Sequence, residues 1–162
     1  MAFLFYICAA VAVVSTALVI TRTQVVHALL YLILSLLAVA VIFFMLGAPF
    51  AAALEVIVYA GAIMVLFIFV IMMLNLGADP AQEKLLLTPS VWIGPGILAA
   101  VLFAVFVLLV IQHSAVRQAG GMEVGPIQVA ASLFGPYLLG VELASFILLA
   151  GLIAAFHLGK KF

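Results

Sequence analysis

Residues 50–75 read FAAALEVIVYAGAIMVLFIFVIMMLN, an apolar run whose only charged side chain is Glu55. The hydrocarbon core of a bilayer is about 30 Å thick, and about 20 helical residues cross it. Backbone groups in lipid must be hydrogen-bonded within the protein, and the run does not alternate apolar with polar residues as the strand of a membrane barrel does. The run therefore predicts a transmembrane helix.

Four further apolar runs of similar length occupy the rest of the chain, at residues 2–20, 25–46, 91–111 and 137–158. The segments between the runs contain glycine, proline or charged residues, which are typical of turns and loops. The predicted fold class is therefore an all-α integral membrane protein. Its five transmembrane helices are expected to form a single membrane domain over residues 1–162.

The composition excludes several classes of protein. Of 162 residues, 71% are hydrophobic and 6% are charged, whereas soluble domains carry about 25% charged residues. The formal net charge is zero, and Lys160 and Lys161 form the only basic pair, so no nucleic-acid partner is expected. The single cysteine, Cys8, excludes an intrachain disulfide and any iron–sulfur or cysteine-based zinc site built from this chain alone.

The positive residues of the loops predict an orientation. With five spans, one side of the membrane receives Arg22, Lys84, Lys160 and Lys161, and the other receives only Arg117. Positive residues are enriched on the cytoplasmic side. We therefore expect the N-terminus outside, in the periplasm, and the C-terminus in the cytoplasm.

Two carboxylates, Glu55 and Glu142, are the only charged side chains inside the predicted spans. Ionisable groups in the bilayer are costly and commonly belong to ion or proton pathways. At about 100° per residue, Tyr59 shares a helix face with Glu55, so we consider Glu55, Tyr59 and Glu142 as proton-path candidates. The alternative is that each acid is a protonated hydrogen-bonding group between helices.

The two acids have similar sequence settings. Pro49 and an aromatic residue precede Glu55, and Pro136 and an aromatic residue precede Glu142. Proline favours the first turn of a helix. If each proline opens its helix, each carboxylate lies six residues, or about 9 Å, along the axis.

Two histidines, His27 and His157, lie near the ends of predicted spans. A haem in the membrane would need axial ligands of this kind. A histidine near the membrane interface is commonly just a polar cap. We therefore interpret both as interfacial residues and expect no metal site on this chain.

One segment carries a distinctive resemblance. Residues 54–67, LEVIVYAGAIMVLF, together with residues 68–75 resemble the third helix of the subunit J family of respiratory complex I, whose mitochondrial counterpart is NADH dehydrogenase subunit 6. Residues 137–145, YLLGVELAS, are similar to the fifth helix of that family. The resemblance covers essentially the whole chain.

The resemblance implies a role in a multi-subunit complex. It implies a multi-pass subunit of the bacterial inner membrane that couples quinone reduction to proton translocation. The expected partners are membrane subunits of types A, H and K and the antiporter-like subunits. No cofactor is expected on this chain, while FMN, iron–sulfur clusters and quinone are expected on partner subunits. The chain is expected to catalyse nothing alone.

The resemblance also implies a π-bulge in the third helix, around residues 59–65, that switches to a regular helix and gates a water path. The candidate gating residues lie within residues 59–67 and are Tyr59, Ala60, Gly61, Ala62, Met64, Val65 and Phe67. Glycine tolerates unusual backbone dihedrals, and the small side chains at 60–62 leave room for a rotation. Close packing of a neighbouring helix is the alternative reason for Gly61.

Two other functions remain open at this point. The chain could be a subunit of a related multi-subunit cation/proton antiporter or membrane-bound hydrogenase. It could also be a purely structural membrane spacer, although a spacer does not need two carboxylates in its spans.

Overall fold

The computed structural model describes residues 2–73, 89–116 and 123–160. The regular structure in these ranges is helical. In chain order the segments are α1 (Ala2–Thr21), α2 (Val25–Met45), α3 (Pro49–Leu54), a π-helix (Glu55–Ile63), α4 (Met64–Met73), α5 (Pro89–Val116), α6 (Pro126–Leu133) and α7 (Leu138–Gly159).

Five helices within the described ranges are long and apolar enough to cross a membrane. They are Ala2–Thr21, Val25–Met45, Pro49–Met73, Trp92–Ile111 and Leu138–Gly159. The prediction of an all-helical fold with five candidate spans is confirmed. The last two residues of the predicted third span, 74–75, lie outside the described residues, as do Lys84, Arg117 and Lys161. The orientation across the membrane stays a prediction.

The chain divides into two compact units, Met1–Glu123 and Val124–Phe162. Whether both belong to a single membrane domain stays a prediction. In the first unit, α1, α2 and α5 pack around a common apolar core, formed by Cys8, Val11, Ala38, Val41, Leu102, Val105 and Leu109. Cys8 and Ala38 are fully buried. Small residues at such positions allow helix backbones to approach closely, which stabilises helix packing in lipid.

A tight turn joins α2 to the third span and fixes where that span begins. Gly47 has a φ of 79°, a left-handed conformation that glycine adopts without steric cost. The N–H of Ala48 donates to the carbonyl of Phe43 at 3.0 Å, and the N–H of Gly47 donates to that of Phe44 at 3.2 Å. This is the Schellman pattern of a helix C-terminus. Pro49 then opens α3.

The second unit contains a short helix, α6, whose first residues are predicted from the sequence to be part of a loop. Helix α6 begins at Pro126, and the N–H of Gly125 donates to Oε1 of Gln128 at 2.8 Å. Proline at the first position and a side chain that satisfies a free N–H both favour a helix start. The 8-residue α6 is too short to span a bilayer.

The expectation that Pro136 opens the last span is wrong. Helix α7 begins at Leu138 with Tyr137 as its N-cap, so Pro136 lies in the preceding turn. Glu142 is therefore four residues from the start of α7, whereas Glu55 is six residues from Pro49. The cause is local: the N–H of Tyr137 donates back to the carbonyl of Ser132 at 3.2 Å, which completes a turn after α6.

Candidate site: the π-helix of the third span

The third span is one continuous helix, Pro49–Met73, with a change of hydrogen-bonding pattern inside it. The first turn, α3, is a regular α-helix that begins at Pro49. From Glu55 to Ile63 the helix is a π-helix of 9 residues. At its C-cap, Met64, the backbone N–H bonds reach the carbonyls of Tyr59 and Gly61. The regular pattern resumes through α4 to Met73.

The π-helix lies earlier in the chain than the segment 59–65 in which a bulge was expected. It begins four residues before Tyr59 and ends at Ile63. Of the candidate gating residues, those from Tyr59 to Ala62 lie in the π-helix. Met64, Val65 and Phe67 lie in α4, so any change of register in the π-helix would be transmitted to them.

The π-helix changes which backbone groups are paired from Glu55 onward. In an α-helix, a residue is bonded to the fourth residue along, and side chains four apart share a face. In a π-helix the bonded partner is the fifth residue along, which pairs Glu55 with Ala60 and Val56 with Gly61. These are backbone pairings. Tyr59, four residues after Glu55, stays near the same face of this wider helix, and the Glu55–Tyr59 proton path stays a prediction.

Gly61 lies within the π-helix, where an added side chain would meet the backbone of the same helix. A β-carbon added there would be 3.1 Å from the carbonyl oxygen of Val56, the residue five positions earlier. That separation is shorter than ordinary van der Waals contact, so the carbonyl would have to move. The crowding comes from the i→i−5 arrangement, so glycine at 61 removes one close contact of the π conformation. This contact within its own helix is one reason for glycine at 61.

The π-helix presents its side chains outward. None of its residues is buried, and Tyr59 is 50% exposed. Met64, the first residue of α4, is by contrast buried. The exposed and apolar character of this span is typical of a helix that contacts lipid or other membrane helices.

An apolar cleft of about 820 Å³ lies between α2, the start of the third span and α5. Ala52, Ala53 and Val56 form its wall on the third span, so it reaches the first turn of the π-helix. Its other walls are formed by residues of α2 and α5, among them Leu37, Ala40, Phe44, Ala99, Phe103 and Phe106. The cleft therefore leaves space beside the junction between α3 and the π-helix.

Glu142, the other proton-path candidate, lies in α7 of the second unit. Its place relative to Glu55 stays a prediction. Three residues further along α7, the hydroxyl of Ser145 donates to the carbonyl of Val141 at 3.0 Å. The Ser145 hydroxyl therefore donates its hydrogen bond within its own helix and not to the Glu142 carboxyl.

Known proteins match the chain over nearly its whole length. The pattern of the NADH-ubiquinone/plastoquinone oxidoreductase chain 6 family matches residues 15–158. A relative from Escherichia coli strain K12, described as NADH-quinone oxidoreductase subunit J, is 56% identical over 99% of this chain and 88% of its own. One of the same description from Pseudomonas aeruginosa is 56% identical over 99% and 98%. The chain belongs to the chain 6 family.

Four buried polar side chains of this chain 6 family member were not predicted from the sequence. Ser15 of α1 and His27, Tyr31 and Ser35 of α2 are all buried. The interpretation of His27 as a polar residue near the membrane interface stays a prediction; the structure shows that its side chain is packed inside the first unit. The signal was present: His27, Tyr31 and Ser35 are spaced by four, which places them on one helix face.

The described residues of this family member hold no group of three or more His, Cys, Asp or Glu side chains that could bind a metal ion. The candidate site is therefore not a metal centre assembled from that part of the chain. What it offers is a helix with an unusual hydrogen-bonding pattern, one carboxyl at its start and a large apolar cleft beside it.

Proposed function

We propose that the chain is a membrane-arm subunit of a proton-pumping NADH:quinone oxidoreductase. The single observation that carries this is the match along nearly the full chain to relatives named as subunit J of that enzyme, at up to 56% identity. Five spans without a large soluble region suit a subunit whose function depends on its partners. The same names favour this reading over a subunit of a cation/proton antiporter or hydrogenase.

We further propose that the third span couples quinone reduction to proton translocation by switching between π and α conformations. In the switch, the N–H of Gly61 releases the carbonyl of Val56, which then accepts from Ala60. One residue of register corresponds to a rotation of about 100° for everything beyond it. Met64, Val65 and Phe67 would swing with it, and these bulky side chains would open or close a water path along Glu55 and Tyr59.

Two features support the switch. Gly61 avoids a close contact in the π conformation, because an added β-carbon would lie 3.1 Å from the Val56 carbonyl oxygen. The cleft beside Ala52, Ala53 and Val56 provides apolar space into which neighbouring side chains can move. Proteins commonly place π-helical turns at functional positions.

In this proposal the chain supplies no redox group. FMN, iron–sulfur clusters and quinone are bound by partner subunits, and the electrons never pass through this chain. Its neighbours are subunits of types A, H and K and the antiporter-like subunits, in the bacterial inner membrane. Glu142 tunes a hydrated region shared with one of these neighbours, and the isolated chain has no activity.

The test is Gly61→Val in the intact complex. A β-branched side chain beside the Val56 carbonyl should favour the α conformation, while an apolar substitution should leave assembly intact. We expect NADH:quinone turnover or proton pumping in membrane vesicles to fall several-fold. The matched control is Gly96→Val in α5, where an added β-carbon meets nothing within 4 Å.

Parent-level turnover and pumping in an assembled Gly61→Val complex would remove the basis of the switch. It would leave the assignment to the oxidoreductase intact, since that assignment is tested separately. A mild-detergent purification through a tag on this chain should recover FMN and iron–sulfur clusters on partner subunits. Recovery of a complex without them would contradict the assignment.

A further inference from the structure

A stripe of polar side chains runs through the interior of the first unit, away from the π-helix. On α2 it consists of His27, Tyr31 and Ser35, which are 7%, 4% and 7% exposed. Helix α1 adds Ser15, which is fully buried. Thr16, beside it in sequence, is exposed and reaches the stripe through the contact of its hydroxyl with Ser35. The proposed gating mechanism uses none of these residues.

Hydrogen bonds fix how α1 and α2 are aligned along the stripe. The hydroxyls of Thr16 and Ser35 lie 2.8 Å apart, and the Ser35 hydroxyl also donates to the carbonyl of Ala12 at 3.2 Å. Ser35 therefore lies opposite residues 12–16 of α1. Since the two helices are antiparallel and joined at residues 22–24, Ser15 lies at a height between Ser35 and Tyr31.

The stripe continues from there towards the connection between α1 and α2. At about 1.5 Å per residue, Tyr31 is about 6 Å and His27 about 12 Å from Ser35. The guanidinium carbon of Arg22 lies 5.5 Å from the centre of the Tyr31 ring, at the end of the bundle where α1 meets α2. The polar stripe thus leads from the end of the first unit into the middle of the spans.

Two atoms of the stripe are buried without a hydrogen-bond partner. They are the hydroxyl Oγ of Ser15 and Nε2 of His27. A buried polar group that makes no hydrogen bond costs about 1–3 kcal/mol, and two such groups on one stripe are unusual in a native fold. Buried water commonly satisfies groups of this kind, with two to four polar partners for each molecule.

We propose that the packing of α1, α2 and α5 binds internal water along this stripe, with separate binding points at Ser15 and at His27. At Ser15, the Ser35 hydroxyl, at a similar height on α2, has a lone pair that can accept from the bound water. At His27, the water bonds to Nε2 and is continuous with solvent near Arg22. The bound water makes the interior of the α1–α2 pair accessible to water and protons independently of the third span. This proposal does not rest on the proposed pumping role.

The test is the reactivity of a cysteine placed in the stripe of the intact, membrane-embedded complex. Thiols react as thiolates, and an apolar environment suppresses the thiolate. Ser15→Cys should react with a small methanethiosulfonate reagent about ten-fold faster or more than native Cys8, because only position 15 is hydrated. Cys8 is an internal control, since it is fully buried on the same helix and in an apolar cluster.

A second control separates hydration from the effect of introducing a thiol. Val11→Cys, one turn from Ser15 and 5% exposed, should remain as slow as Cys8. Modification is read by the mass of the peptide that carries each cysteine. Equal rates at positions 8, 11 and 15 would overturn the proposal. If Ser15→Cys prevents assembly, a high-resolution density map of the parent complex decides: water at Ser15 Oγ supports the site, and a dry contact overturns it.

Discussion

At position 61 the absence of a β-carbon removes a close contact that is visible only in three dimensions. In sequence, Gly61 between two alanines could serve close packing of a neighbouring helix or an unusual backbone. The separation of 3.1 Å between an added β-carbon and the Val56 oxygen favours the second reason. The relevant contact lies five residues back along the same helix, and no pattern of side chains reveals it.

A second glycine, Gly94, is explained by a contact between helices. A β-carbon at Gly94 of α5 would collide with the hydroxyl of Tyr31 on α2. Tyr31 is 4% exposed and its ring faces Arg22, so it has little freedom to move. The pairing of Gly94 with Tyr31 therefore fixes the approach of α5 to α2.

We expect Gly94→Ala to destabilise the first unit by about 1–3 kcal/mol, the usual cost of overpacking. Removing the hydroxyl with Tyr31→Phe should relieve the collision and keep the ring beside Arg22, so the double variant should regain most of the loss. The measurement is the thermal midpoint of the assembled complex in mild detergent. Gly96→Ala is the control, as its added β-carbon would have open space.

The contact explanation would fail if Gly94→Ala and Gly96→Ala had the same thermal midpoint. It would also fail if Tyr31→Phe gave no recovery in the presence of Gly94→Ala, because the two residues would then act independently.

Among the helices, the long spans could be predicted and the short or irregular ones could not. Five apolar runs near the length of a bilayer crossing predicted the spans to within one or two residues at their described ends. Helix α6 was missed because Gly125 and Pro126 were interpreted as loop residues, although proline at a first helical position is also a start signal. The register of the π-helix depends on whether each backbone N–H bonds to the fourth or the fifth preceding carbonyl. The pattern of side chains does not determine that choice.

Each hydrogen-bonded turn of a π-helix contains one more residue than a turn of an α-helix, because its hydrogen bonds join residues five apart rather than four. Deletion of Gly61 should therefore convert the third span into a continuous α-helix while α3 and α4 keep their facing directions. We expect such a complex to assemble and to lose coupling: NADH oxidation should continue with a reduced proton yield. The proton-to-electron ratio in sealed vesicles is the measurement.

A matched deletion makes the expectation specific. Removing Ala104 from the regular helix α5 should rotate everything beyond it by about 100° and disturb the core around Val105 and Leu109. That variant should fail to assemble. If both deletions impaired assembly to the same degree, this would contradict the view that the π-helix contains one removable residue.

For the whole molecule, the orientation rests on few charges. Lys160 is described at the end of α7, whereas Lys84 and Arg117 lie outside the described residues. We expect a reporter fused after Phe162 to be active only if it functions in the cytoplasm. A fused alkaline phosphatase, which needs an oxidising compartment for its disulfides, should be inactive, and a fused fluorescent protein should be bright. Active phosphatase would reverse the orientation.

At the same scale, the family and the five spans could be predicted because both depend on long stretches of apolar sequence and on one distinctive segment, residues 54–67. The buried polar stripe could have been found from the spacing of His27, Tyr31 and Ser35. Its link to Ser15 and Thr16 could not, because that depends on how α1 and α2 pair.

The switch of the third span is tested most directly by the structure of the intact complex in two states, at rest and during turnover with NADH and quinone. The quantity to compare is the partner of the Val56 carbonyl. The account predicts that Gly61 N–H is the donor in one state and Ala60 N–H in the other, with Met64, Val65 and Phe67 rotated between them. A Glu55–Ile63 segment that keeps the same π-helical hydrogen bonds in both states would contradict it.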